Sequence, residues 1–180
     1  MPINYDVFDK AVIRALDSDV EIVLPQCLKA LKLLLGNSGE DWSIDRAYNE
    51  LFYLNLYTYC LAIDKRFKGY GGELTNRLNN LVESFLKKRL SEELVIVTMA
   101  KLNLRFLEYS KRVNEFVQNG IDQKLQMEFA QFLTSKVLGD KYETNLPINM
   151  QIFTFFGTAL KSIGEYFNGL ELLISKPSPR

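Results

Sequence analysis

The chain has 180 residues, 47% hydrophobic and 24% charged, enough to bury the core of one domain without disulfides or metals. Its 22 basic and 22 acidic side chains cancel, which gives no general electrostatic reason to expect nucleic acid or an anionic membrane as partner. Histidine is absent, which excludes imidazole-based triads, the His-Glu-x-x-His zinc site and the Glu-x-x-His pairs of di-iron bundles. Cys27 and Cys60 lie far apart beside apolar residues and read as reduced core thiols of a cytoplasmic protein. The opening MPINYDVFDK has neither the basic nor the apolar region of a signal peptide. Every apolar run is interrupted well short of the ~20 residues of a membrane span.

Asn4 can cap a first helix over Tyr5 to Asp17, with Phe8, Val12, Ile13 and Leu16 as its apolar stripe. The Asp-Ser-Asp at 17–19 reads as the stop of that helix and the cap of the next. Val20 to Leu35 carries the stripe Leu24, Leu28, Leu31, Leu34 and Leu35. Pro25 inside it suits the first turn of a helix beginning there, with a kink as the alternative. GNSGED at 36–41 is a loop.

A central helix is predicted over about 43–68, with Ser43 as its cap, Asp45 and Glu50 early, and Lys65, Arg66 and Lys68 at its far end. Between Leu51 and Ile63 only Asn55 and Thr58 are clearly polar, so this helix is apolar nearly all round, as a buried element is. Glu73 to Leu90 is amphipathic. Glu92 to Gln118 follows, ended by Asn119-Gly120. Its positions Val95, Met99, Leu102, Phe106, Tyr109, Val113 and Phe116 make a heptad seam. Leu94, Leu104, Leu107 and Val117 are expected to widen that stripe toward several neighbouring helices. A sixth helix, Asp122 to Leu138, uses Leu125, Phe129, Phe132, Leu133 and Val137. After the loop GDKYETNL, Pro147 opens a seventh through Ile148, Ile152, Phe155, Phe156, Ala159, Leu160, Ile163 and Phe167. No stretch alternates with period two for long enough to be a strand. The expectation is an all-α, single-domain bundle of six or seven helices over residues 1–175, around the buried central helix, with a flexible tail at 176–180.

Chemistry is sparse. GYGG at 69–72 lies between two helices, where it ends one and turns the chain. No phosphate-binding loop is present and the acids do not converge, so no metal, cofactor or catalytic residue is expected. The basic clusters at 65–68, 87–89 and 111–112 fall near helix C-termini, where the helix dipole favours them. Asn55 lies on the stripe Tyr48–Phe52–Asn55–Tyr59–Ala62, so its amide should be buried and bonded. Its partner is a tyrosine hydroxyl, a water or a ligand; Asn55, Tyr48 and Tyr59 are the candidates for binding a small apolar or aromatic molecule between helices. Gly157 and Gly164 on the last helix open space for another backbone, from this chain or a second one, and with Phe153 are the candidate interface. The expected function is non-enzymatic: protein–protein interaction as an adaptor, inhibitor or immunity-type factor, with a homodimer as one form of it.

Overall fold

A computed structural model describes residues 3–36, 42–118 and 123–174, and it is an all-α bundle. The helices are α1 (Tyr5–Ser18), α2 (Leu24–Leu35), α3 (Ile44–Arg66), α4 (Gly71–Lys87), α5 (Glu92–Gln118), α6 (Gln123–Leu138) and α7 (Leu146–Ile174). A 3-10 turn, Asp140–Tyr142, lies between the last two. Helix starts follow the capping residues. Asn4 accepts from the Val7 amide at 3.3 Å, Ser43 from Arg46 at 3.2 Å, and Asn145 from Ile148 at 3.2 Å, ahead of Pro147 in the first turn of α7. Gly69 (φ 88°) and Gly139 (φ 109°) turn the chain after α3 and α6 in a conformation that side chains resist. Most of the 36–41 loop, the Asn119-Gly120 stop and the 176–180 tail lie outside the described residues.

Helix α3 is the axis of the bundle. Every residue from Leu51 to Tyr59 is buried, because α7, α4, α6, α2 and α5 all pack against it. A helix enclosed on all sides needs no polar face, which is why the middle of its sequence shows no polar side. Buried side chains from all seven helices join one cluster. Phe167 of α7 is fully buried and meets the rings of Phe8, Tyr59 and Phe67 at centroid distances of 6.1, 5.9 and 5.9 Å. The contacts to Tyr59 and Phe67 are edge-on, the favoured geometry for aromatic quadrupoles. Polar bonds tie the outer side of α1 to α4: Tyr5 donates to Glu73, Arg77 grips Asp9 at 2.5 and 2.6 Å, and Arg89 meets Asp17 at 2.7 Å.

Three expectations are corrected. Asp17-Ser18-Asp19 does not stop the first helix. α1 continues into α2 through a π turn, Asp19–Val23, where the Leu24 amide bonds to the Asp19 carbonyl five residues back. The proline does stand in the first turn of α2, but that turn is not a chain break. Pro25 has no amide hydrogen, so the ladder must lose a bond there, and the π turn puts its change of bonding register at that place. The second correction is Leu34, which is exposed. The third concerns α5. Val95, Leu102 and Tyr109 of its heptad seam are buried, and Met99, Phe106 and Val113 pack at the edge of the core. Leu94, Leu104 and Leu107 are exposed, Leu104 and Leu107 on the side of the helix turned away from the inner seam and Leu94 on its flank.

Candidate functional site

Among the described residues two carboxylates are buried, and both are held by this chain. Asp19, 9% exposed at the π turn, receives the Asn55 amide at 2.7 Å and the Tyr59 hydroxyl at 2.5 Å on the same oxygen. The stripe on α3 thus brings Asn55 and Tyr59 together, as their spacing implies, and the partner of both is an acid read from sequence as a helix stop. Burial raises the Asp19 carboxyl above its ordinary range, and the two hydrogen bonds oppose that rise. Burial, reinforced by the Asp19 charge, moves the Tyr59 hydroxyl well above 10, so it stays a donor. Tyr48 takes no part: it is half-buried, raised by burial and lowered by the charge of Arg89.

Glu50 is the second. Arg105 of α5 grips it with two bonds of 2.7 Å, the fork geometry that suits a guanidinium and a carboxylate. Tyr109 adds a longer bond at 3.4 Å. Arg105 also reaches Glu108 at 2.9 Å, and Lys136 of α6 reaches Glu108 at 3.0 Å. Burial would raise Glu108, yet Lys136 and Arg105 bring it below its ordinary value. The chain of charges links α3, α5 and α6. Arg46 at the start of α3 adds bonds to the Ser135 and Lys136 carbonyls, at 2.6 and 3.0 Å, and so finishes the end of α6. Neither thiol is in a disulfide, and burial pushes Cys27 up to about 11 and Cys60 up to about 12, which favours the protonated thiol of both at neutral pH.

Open features lie elsewhere. A groove of about 960 Å³ runs between the far half of α3 and the middle of α7. Leu61, Ala62 and Leu160 line it with Gly157 and Gly164, and Lys65, Arg66, Lys68 and Lys161 stand around it. None of these four cations has an ion-pair partner among the described residues. Asp64 and Glu165 are the acids of the groove, and Asp64 lies against the start of α4, 3.0 Å from where a Cβ on Gly71 would stand. A Cβ on Gly157 or Gly164 would meet nothing within 4 Å, so none of the described residues uses the space they leave. Phe153 is not in the groove; it is half-buried with its ring edge-on to Phe129 at 6.3 Å. Lys161 was not singled out from sequence, although its place between the two glycines on one helix face was visible. The second open feature is the outer side of α5, where Ile96, Val97, Leu104 and Leu107 are 64%, 44%, 53% and 72% exposed.

Fold and surface together define an all-α bundle with internally held buried charges, a cation-rimmed groove and an apolar outer helix face. Among the described residues no three metal-ligating side chains converge, and no helix is long and apolar enough to cross a membrane. No protein-family model matches the chain, and neither does any curated protein or solved structure.

Proposed function

We propose that this chain is a protein-binding module, an adaptor, inhibitor or immunity-type factor rather than an enzyme, whose α3–α7 groove receives an acidic helical segment of a partner. The observation that carries this reading is the groove itself: open glycine backbone at 157 and 164, with four cations around it that form no ion pair among the described residues. Glycines at this spacing let a second backbone come close, and Leu61 and Leu160 supply apolar contact beneath. The cations would meet acids on the incoming segment, raising the association rate and selecting against basic partners. A cytoplasmic setting suits the unpaired Cys27 and Cys60.

A photo-crosslinking side chain placed at 157 in the native host tests this. The expected adduct is a protein, joined through an acidic helical segment, and lost when Lys65, Arg66 and Lys68 are all changed to Glu. An oligonucleotide adduct, or a protein adduct indifferent to those charges, would overturn the reading.

A further inference from the structure

We infer that the outer face of α5 pairs with the same face of a second copy, antiparallel, about a two-fold axis level with Leu102. The observation is a second heptad seam on the side of α5 turned away from the core. Glu93, Val97, Ala100, Leu104, Leu107 and Lys111 follow one another at steps of four, three, four, three and four, and all six are exposed. That is the spacing of a coiled-coil contact face. Its other heptad, Val95–Leu102–Tyr109, is already used inside the bundle.

The outer seam is symmetric about position 102 in a way only one orientation exploits. Antiparallel pairing about that point sets Val97 against Leu107 of the second copy and the small Ala100 against the larger Leu104. It also sets Glu93 against Lys111, twice. A parallel pairing would set Glu93 against Glu93 and Lys111 against Lys111. Neither Glu93 nor Lys111 has an ion-pair partner among the described residues, so both are free for that role. A two-fold contact uses one patch twice, and a patch with opposite charges at its two ends is complementary to its own reversed copy.

The area is sufficient. The exposed parts of Ile96, Val97, Ala100, Leu104 and Leu107, with the stems of Glu93 and Lys111, come to on the order of 500 Å² per copy, or about 1,000 Å² in the pair, the lower edge of a specific interface. An apolar patch of that size is as large as a monomer ordinarily leaves uncovered. The pairing does not depend on the groove between α3 and α7 and stands or falls separately from it.

Sedimentation equilibrium across a wide concentration range tests the pairing with five chains: wild type, Glu93→Lys, Lys111→Glu, the double swap, and Leu107→Glu. All these positions are exposed, so the fold should not change. The wild type should be a dimer that dissociates on dilution. Each single charge reversal should weaken it about tenfold, since two attractive contacts become repulsive. The double swap should restore it, and Leu107→Glu should leave a monomer. A wild type that stays monomeric at every concentration overturns the inference. So does a dimer indifferent to Leu107→Glu, which would use another face, and so does a double swap that fails to recover, which would exclude the antiparallel order.

Discussion

Asp19 is a buried carboxylate with two donors on one oxygen, and its ionisation opposes folding. Because burial lifts its pKa, the folded chain holds that proton more tightly than the unfolded chain does. Its contribution is therefore fully present below the unfolded value, ~3.9, and is lost as pH rises through the folded value. Asp19→Asn keeps an acceptor for Tyr59 and removes the charge. Urea melts at several pH values should show the variant as stable as the wild type or more so near neutrality, with its advantage shrinking toward acid pH. A loss above ~2 kcal/mol at neutral pH would mean that the charged hydrogen bonds outweigh burial. Asp19→Ala should cost roughly 1–3 kcal/mol, because it strands the Asn55 amide and the Tyr59 hydroxyl without an acceptor. At this scale the sequence was half legible. Asn55 sits on an apolar stripe, so its burial and its need of a partner could be read directly. Asp19 could not be paired with it, because Asp-Ser-Asp has the local chemistry of a cap and only the packing of α3 against the π turn brings the two together.

Helices α5 and α7 show what a stripe can and cannot tell. Leu102 and Leu104 lie two residues apart and face opposite ways: 1% and 53% exposed. Leu102→Ala should cost about 2–5 kcal/mol through lost burial and a residual cavity. Leu104→Ala should change stability by less than ~0.5 kcal/mol in melts run dilute enough to keep the chain monomeric. Near-equal costs would show that α5 is rotated from the orientation described. On α7, Gly157→Ala and Gly164→Ala should each stabilise the fold by roughly 0.5–1 kcal/mol, since alanine is the better helix former and nothing lies in its way. Thermal melts that fall instead would mean that a segment of the chain does occupy the groove. The inner seam of α5 was visible as a heptad. The outer leucines read as its widening, because periodicity shows that a face is apolar without showing how many neighbours exist to cover it.

The bundle as a whole is pinned by charges that cross between helices. Glu50→Ala would leave Arg105 partly buried without its main partner, and denaturant titration should register a loss of roughly 3 kcal/mol. The all-α class followed from periodicity near 3.6 and the lack of any period-two stretch, and the burial of α3 from its lack of a polar side. Which helix covers which did not follow, since it depends on contacts between residues far apart in the chain. Rotation about the first rod's own axis is the remaining constraint. A π turn is one residue of surplus chain inside an α-helix, and each residue is worth about 100° of rotation. Buried positions step from Phe8 to Val12, Leu16 and Asp19 by fours and a three, then by five to Leu24. That long step keeps the inward sides of α1 and α2 aligned. Remove Glu21 or Ile22, both exposed, and the rod could become uniformly α-helical. Everything downstream would swing by about 100°, carrying Leu31 and Leu35 off the core. Circular dichroism melts should therefore find Ile22→Ala harmless and the deletion of Ile22 severely destabilising. Between Asp19 and Val23 the chain is indifferent to much of its spelling and strict about its length.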